Sequence, residues 1–278
     1  MKHRNFGKMI AGAAVALLAA SVVASCAEKT EESHDYVFEE LTGAATYRLT
    51  GSAKDFQQDS DLVYTDTVSL MMPKALGGCD VTALRDSIIY KALQIKNMPA
   101  PEAVKAWLDT MSTAMEYKPE KLSDHYTKDA SSYDLVTGYV ANLTPQLLVY
   151  CISSEGYMAG AAHGMYAREY VNYAFDNGGT ILTLDKLFTP EGLKELPARI
   201  SEQAESMADK IGTTTITDLP CDNNFYISSE GEIVFSYQPY EVASYAQGII
   251  DIPFYPYELV SYMTPYAINF FGLTDLGE

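Results

Sequence analysis

Between two strand-like runs of the chain lies the segment Tyr157-Met158-Ala159-Gly160-Ala161-Ala162-His163-Gly164-Met165. An apolar run, Pro145 to Ile152, precedes it, and a run rich in tyrosine and valine follows it as far as Asn177-Gly178-Gly179. Small residues and glycines between strands indicate that the backbone turns tightly or approaches another backbone closely. The segment therefore predicts a turn at Gly160–Gly164 between two antiparallel strands.

The second half of the chain continues as strands, tight turns and helices. Asn177-Gly178-Gly179 and Ser229-Glu230-Gly231 are hairpin signals. Thr189-Pro190 predicts a helix start, Pro197 a restart of that helix, and Gly212 its end. We predict strands over 131–140, 146–153, 165–175, 180–184, 224–228, 232–237 and 249–252, and a last helix over 257–263 opened by Pro256.

The first half predicts two strands followed by two helices. The strands are expected over 45–50 and 62–72, the second with period-two alternation. One helix is expected to start at Asp80 as its N-cap and another near Pro101. The spacing of Trp107 on that second helix favours a place in the core over a ligand-stacking role.

This order of elements predicts an α+β fold, with antiparallel β-sheets and helices packed on one face, in two subdomains. We expect an N-terminal α+β subdomain over residues 41–130 and a C-terminal α+β domain over 131–278.

The N-terminal sequence predicts a signal peptide and a lipid anchor. Residues 1–25 combine a basic start with a short apolar run and small residues, which is typical of a cleaved signal peptide. Cys26 directly follows, as in bacterial lipoprotein signals, where the cysteine carries acyl chains such as palmitate. Residues 26–40 are acidic and predict a solvated tether. We expect a lipoprotein of the cell envelope, attached to the outer membrane on its periplasmic or surface face.

The net charge of the chain indicates which classes of binding partner are favoured. The formal charge is -18, and losing Lys2, Arg4 and Lys8 with the signal peptide would take it to -21. This balance disfavours nucleic acid and anionic ligands, and it favours a basic partner through electrostatic steering. Solubility is the simpler explanation of the same charge.

Three cysteines remain in the body, Cys79, Cys151 and Cys221. Their spacing matches no zinc motif, and no cofactor is expected. Outside the cytoplasm, one disulfide with a leftover thiol and three buried free thiols both remain open.

Four segments together resemble the extracytoplasmic domain of RsiV-like proteins, a domain family of unknown function, over about Ser131 to Met263. In order, they are Gly160-Ala161-Ala162-His163-Gly164, Thr183-Leu184-Asp185-Lys186-Leu187-Phe188, the pair Phe225-Tyr226-Ile227 and Ile233-Val234-Phe235, and Tyr240-Glu241-Val242-Ala243-Ser244-Tyr245-Ala246-Gln247-Gly248. The family usually has two glycines before Ala-His-Gly, and here the second is Ala161. In RsiV this domain binds lysozyme, a basic protein, without catalysis. The resemblance thus implies lysozyme or another basic protein as a partner.

Catalytic signatures are absent from the sequence: there is no Gly-x-Ser-x-Gly, His-Glu-x-x-His, Gly-x-x-x-x-Gly-Lys or Ser-x-x-Lys motif. Few histidines lie in the body, which disfavours a metal cluster or a Ser-His-Asp system. We therefore expect no enzyme.

The best candidates for a ligand-binding surface are His163, Tyr240, Glu241 and Tyr245. His163 can face a ligand or lock its turn by hydrogen bonds to the backbone, and the second role is favoured. Glu241 can be a buried acid or an exposed loop carboxylate, and again the second is favoured. Tyrosines crowd the loop and its flanks, which suits an interface or a half-buried strand face; they are Tyr237, Tyr240, Tyr245, Tyr255 and Tyr257.

The sequence thus predicts a lipid-anchored envelope protein that binds a protein or wall-derived ligand without catalysis. A cell-wall glycan- or peptide-active enzyme and a passive assembly factor are the alternatives.

Overall fold

Six strands make the larger of two sheets. They are β1 (Tyr36–Leu49), β2 (Leu62–Leu76), β3 (Ser131–Leu143), β4 (Leu147–Tyr157), β5 (Met165–Ala174) and β6 (Thr180–Leu182), neighbouring one another in chain order. The smaller sheet consists of β7 (Phe225–Ile227), β8 (Ile233–Tyr237) and β9 (Ile250–Phe254). This computed structural model describes residues 36–49, 62–114, 131–158, 161–212, 219–222 and 224–274. Cys26, the signal peptide and residues 26–35 of the tether lie outside the described residues.

Six helices accompany the sheets in the described ranges. They are α1 (Thr82–Leu93), α2 (Ala100–Ala114), α3 (Leu184–Leu187), α4 (Pro190–Ser206), α5 (Ala208–Ile211) and α6 (Pro265–Phe270). The α+β class predicted from the sequence is confirmed.

Helices α1 and α2 pack on one face of the large sheet. Alternation along β2 points Val68, Leu70 and Met72 into that interface, where Leu84 and Ile88 of α1 are also fully buried. Gly43 of β1 allows α2 to approach closely, because a Cβ there would lie 2.5 Å from Val104. Trp107 lies at the edge of the same core, as predicted.

One strand pair departs from the predicted antiparallel arrangement. Strands β2 and β3 are parallel, with Asp66 opposite Asp134. A parallel pair needs a long crossover, and α1 and α2 lie in the segment that connects these two strands. The sheet is therefore continuous across the expected subdomain boundary at residue 130, and all the described residues belong to one compact unit.

The small sheet and the last helices have their own core. Phe235 and Phe254 from the sheet meet Leu196 and Ile200 of α4 there. Helix α4 is continuous through Pro197, so the predicted restart is wrong. The helix tolerates this proline because the packing of its buried face outweighs one missing backbone hydrogen bond.

The two sheets are joined through the opposite face of the large sheet. Leu147, Val149 and Cys151 of β4 are buried there against Ile227 of β7. Buried Asn172 of β5 donates to Phe225 O at 2.8 Å and accepts from Ile227 N at 3.0 Å. The Asn172 side-chain amide thus makes two hydrogen bonds with β7 that the backbone of a neighbouring strand would otherwise make.

Several element boundaries differ from prediction. β1 begins at Tyr36, because Tyr36 and Phe38 pack against the core beside α1 and α2, so residues 36–40 belong to the sheet and not to the tether. Asp80 accepts from Thr82 N at 2.9 Å, although the N-cap of α1 is Val81. The predicted last helix is a 3₁₀ turn over Pro256–Tyr262, and α6 follows it. Thr264 caps α6 and Pro265 opens it, a start signal that was missed.

Candidate functional site

The candidate site lies where β4 passes into β5. Gly164 provides the close approach that the sequence predicts, because a Cβ on it would lie 2.8 Å from Gly156 O. Ala159 and Gly160, also part of the predicted turn, lie outside the described residues. The turn presents His163 to solvent.

His163 is held by one backbone contact and one side-chain contact. Its Nδ1 lies 2.8 Å from Gly164 O and its Nε2 lies 3.1 Å from the Tyr240 hydroxyl. A carbonyl oxygen can only accept, so Nδ1 carries the hydrogen, and in the neutral ring Nε2 accepts from Tyr240. The predicted turn-locking role is therefore present together with an exposed ring.

Aromatic rings surround His163. Its ring stacks on Tyr245 with centroids 3.8 Å apart and an interplanar angle of 20°. Tyr166 of β5 meets Tyr245 edge-on at 5.7 Å, and Tyr240 lies 5.7 Å from Tyr245. Desolvation and the neighbouring phenols of Tyr166, Tyr240 and Tyr133 raise the pKa of Tyr245.

The cluster extends onto the face of the large sheet. Tyr133 and Tyr157 are directly opposite each other on β3 and β4, with ring centroids 6.4 Å apart. We call Tyr133, Tyr157, His163, Tyr166, Tyr240 and Tyr245 the tyrosine patch. Tyr240 is 57% exposed and Tyr133 is 40% exposed, so the patch offers open ring faces to solvent.

The loop that carries Tyr240 is fastened to β5. Strand β6 pairs only with Asn172, Tyr173 and Ala174, which leaves the earlier part of the β5 edge without a strand partner. Gln238 takes that place: its Oε1 accepts from Arg168 N and its Nε2 donates to Arg168 O, both at 2.8 Å. A side-chain amide thereby closes the edge as a neighbouring strand would.

Glu241 secures the same loop. Its Oε2 accepts from Gln238 N at 2.6 Å, and its side chain is exposed, as the favoured prediction had it. Tyr240 has a φ of +74°, in the left-handed region where a bulky residue is rare. A strained backbone conformation persists only where surrounding contacts hold it, and such residues are often found at functional sites.

The structure brings three of the four predicted site residues into contact: His163, Tyr240 and Tyr245. Tyr133, Tyr157 and Tyr166 were missed, although period-two alternation could have placed each on one strand face. Tyr237 is instead buried and donates to Pro220 O at 2.8 Å. Tyr255 and Tyr257 stack on each other at 5.6 Å, beyond the far end of β9.

A second polar cluster lies on the helix-covered face of the large sheet. Asp66 is fully buried, and neither carboxylate oxygen has a hydrogen-bond partner in the described residues. Asp134 on the adjacent strand accepts a short hydrogen bond from Tyr64. Burial and the Asp134 charge raise the pKa of Asp66 to about 6. Paired carboxyls of this kind occur in catalytic sites and in structural cores.

Other candidate chemistry is limited in the described ranges. Cys79, Cys151 and Cys221 are all free thiols, but only Cys151 is buried, whereas Cys79 and Cys221 are partly exposed. Within these same ranges, no three His, Cys, Asp or Glu side chains come together in a way that could hold a metal ion. No helix there is both long and apolar enough to cross a membrane.

Comparison with known families identifies one region of the chain. Residues 183–258 match a family described as "Protein of unknown function (DUF3298)". The region begins directly after β6 and contains α3 to α5, the small sheet and the loop that supplies Tyr240 and Tyr245. No curated protein matches the chain.

Solved structures extend the likeness to most of the chain. A member of the DUF3298 family from Bacteroides fragilis NCTC 9343 is 22% identical, over 86% of this chain and 97% of its own, with a TM-score of 0.63. A DUF3298 family protein from Pseudomonas aeruginosa PAO1 is 14% identical, over 83% and 96%, with a TM-score of 0.53. At these identities the likeness shows a shared fold. The RsiV-like form of the resemblance and the lipoprotein signal remain predictions.

Proposed function

We propose that the protein is a non-catalytic binding module, anchored to the outer membrane by acyl chains on Cys26, that takes a protein or wall-derived ligand on the tyrosine patch. The observation that supports it is the joining of His163 to Tyr240 and Tyr245 in one exposed cluster. Residues that are 77 positions apart in the chain contact each other there.

The composition of the patch suits recognition. Tyrosine offers a large ring and a hydroxyl at low cost in side-chain entropy, and it is enriched in protein interfaces. The ring faces attract cations, and the acidic chain attracts basic partners. The resemblance implies lysozyme as the partner. Lysozyme is a basic protein, so its cationic side chains could contact the rings and its net charge would be attracted by the acidic chain.

Lysozyme titration tests the specific form of the proposal. We expect saturable binding by calorimetry, weakened at least about ten-fold by Tyr245→Ala, because a central aromatic anchor is lost. Tyr257→Ala is the matched control, since it removes an exposed tyrosine outside the patch. No binding would remove lysozyme as the ligand, and equal loss in both variants would show that lysozyme does not bind on the tyrosine patch.

The anchor has a separate test. Mass spectrometry of the protein from membranes should find residue 26 as the N-terminus, carrying acyl chains, and Cys26→Ala should release the protein from the membrane fraction. An uncut, unmodified N-terminus would contradict the anchor and leave the binding proposal standing.

A wall-active enzyme is the second candidate, and the Asp66–Asp134 pair is the observation in its favour. Two neighbouring carboxyl groups can act as general acid and general base in hydrolysis. Asp66 is fully buried, so a substrate would have to reach it through an opening of the fold. Muropeptide turnover by the purified protein, abolished by Asp134→Asn, would replace the binding proposal with this one.

A further inference from the structure

We propose that two copies of this chain pair along the outer edges of their β1 strands, antiparallel to each other and centred on Ala44. β1 is the first strand of the large sheet, and among the described strands only β2 pairs with it. Its other edge therefore presents backbone N–H and C=O groups to a further strand. The tyrosine patch takes its residues from the segment β3 to β5 and from the loop after β8, so the pairing is independent of the proposed function.

The outer edge of β1 is long and lacks most of the features that protect an edge strand. The strand has 14 residues, roughly 45 Å, whereas a typical strand has about five or six. Proteins commonly shield such an edge with proline, lysine or a β-bulge. β1 contains no proline or lysine, and its described bulge lies at its start, between Val37 and Phe38. The far side of the same sheet is protected, by Gln238 at β5 and by a β6 of only three residues.

Helix α2 packs on a face of β1 and not on its edge. A Cβ on Gly43 would meet Val104 of that helix. The opposite face is open, and Thr42, Ala44 and Thr46 are exposed there. Side chains point to the two faces of a strand, whereas backbone hydrogen-bonding groups point to its edges. The packing of α2 therefore does not use the edge groups that a second copy would need.

Backbone geometry and charge together select one register. Along a strand, successive residues direct their N–H and C=O groups to alternate edges, and two residues opposite each other in an antiparallel pair direct them alike. When two copies of one strand pair, opposite residues therefore lie an even number of positions apart. Glu40 and Arg48 are eight positions apart and can be opposite each other, whereas Glu39 and Arg48 are nine apart and cannot. With Glu40 opposite Arg48, Ala44 lies opposite its own copy.

The charge of Glu40 is available for such a pair. Glu39 is already ion-paired with Arg85 of α1 at 2.9 Å. Glu40 accepts a hydrogen bond from the Ser69 hydroxyl at 3.3 Å and has no cationic partner among the described residues. Opposite charges directly across two strands stabilise their pairing, so a second copy would supply the partner that Glu40 lacks.

The remaining positions fit the same register. Thr42 lies opposite Thr46, a pair that is favourable across strands. The two-fold axis through Ala44 makes every such pair occur twice, as in an isologous dimer. A shift of two residues along the strand would place Glu40 opposite Thr46, and both charge pairs would be lost. The register centred on Ala44 is therefore the one that the dimer should adopt.

Charge exchange tests this register. In sedimentation velocity, we expect the purified protein to form a dimer whose share grows with concentration. Glu40→Arg places an arginine opposite Arg48 twice in the dimer and should weaken dimerisation at least about ten-fold. The double exchange Glu40→Arg with Arg48→Glu reverses both pairs and should restore dimerisation. Glu195→Arg, an exposed change of the same charge on α4, is the matched control and should have no effect.

A disulfide gives a second, independent test. Ala44→Cys places the two new cysteines of a dimer directly opposite each other, with Cα atoms about 4.5–5.5 Å apart, which is within the range of a disulfide. Mild oxidation should then give a covalent dimer on a non-reducing gel. Thr42→Cys is the control, because its two copies would lie four positions apart along the strands, roughly 13 Å, and should not cross-link.

Three results would overturn the proposal: a monomer at every concentration, a dimer that Glu40→Arg leaves intact, or equal cross-linking of the two cysteine variants. A monomer would mean that another occupant covers the edge of β1. If the double exchange does not fold, the comparison of Ala44→Cys with Thr42→Cys decides.

Discussion

One fully buried carboxyl group, that of Asp66, has no hydrogen-bond partner among the described residues. Asp66 lies on the core face of β2, and Tyr64 donates its hydrogen bond to the neighbouring Asp134 instead. Tyr64 and Asp134 are the titratable groups nearest Asp66, and burial, followed by the charge of Asp134, raises the pKa of Asp66.

Asp66 should make the protein less stable as pH rises. Its pKa in the folded chain is about 6, above the value of an ordinary aspartate. Between about pH 4 and 6 the unfolded chain releases this proton while the folded chain keeps it, so the free energy of unfolding falls through that window. The full cost above pH 6 is at most about 3 kcal/mol.

Asp66→Asn should therefore stabilise the protein by about 1–3 kcal/mol at pH 8 and change little at pH 4. Urea unfolding at the two pH values measures this difference. Asp86→Asn, on the exposed side of α1, is the matched control and should be neutral at both. The same effect of Asp66→Asn at both pH values would show that its charge is not the cause.

Local turn chemistry made much of the fold predictable. Asn177-Gly178-Gly179 connects β5 and β6 as expected, with φ values of +50°, +80° and +110°. Gly212 ends a helix with a φ of +73°, but that helix is α5, because the predicted single helix breaks at Met207. Thr189 accepts from Gly192 N as a cap, as its place before Pro190 predicts. These signals act within a few residues, so a single sequence contains them.

The elements that escaped prediction depend on distant partners. β1 extends back to Tyr36 because β2 pairs with it along its length. α4 stays whole at Pro197 because its buried face packs on the small sheet. Neither fact has a local signal, since tertiary contacts override local preference.

The junction between the two sheets depends on Asn172. Its amide satisfies Phe225 O and Ile227 N, and both hydrogen bonds are buried. Asn172→Ala should leave those backbone groups unpaired and reduce the free energy of unfolding by about 2–4 kcal/mol. Chemical unfolding measures the loss, with the exposed Asn269→Ala as control. A loss below about 1 kcal/mol would mean that water or a shifted strand replaces the amide.

The packing of α4 on the 3₁₀ turn depends on Gly192. A Cβ at this position would lie 2.4 Å from Tyr262 O, which accepts from Thr189 N at 2.9 Å. Gly192→Ala should separate the two elements and lower the unfolding free energy by about 1–3 kcal/mol, despite the better helix propensity of alanine. Thermal unfolding beside Glu195→Ala, an exposed change on the same helix, gives the comparison. A variant as stable as the parent would show that the 3₁₀ turn can shift to accommodate the added methyl group without a loss of stability.

At the scale of the molecule, the tyrosine patch is assembled from three distant segments. Tyr133 and Tyr157 come from neighbouring strands, His163 from the following turn, and Tyr240 and Tyr245 from the loop after β8. The glycine turn and the tyrosine-rich loop could be recognised separately in the sequence. Their contact could not, because it depends on Gln238 pairing with the β5 edge.

Charge acts over the whole molecule and should govern how quickly a basic partner arrives. The formal net charge of -18 creates a long-range attraction, whereas the aromatic contacts of the patch act at short range. For a basic protein that binds the patch, the association rate constant should fall at least about ten-fold between roughly 50 and 500 mM NaCl. The dissociation rate constant should change only a few-fold, because short-range aromatic contacts, and not long-range electrostatic attraction, keep the bound partner in place.

Surface plasmon resonance measures the association and dissociation rate constants separately. Tyr245→Ala should raise the dissociation rate and leave the salt dependence of association as it was, since the variant carries the same charge. If salt instead acted mainly on dissociation, short-range ion pairs would hold the partner, and the aromatic rings would not be its main contacts.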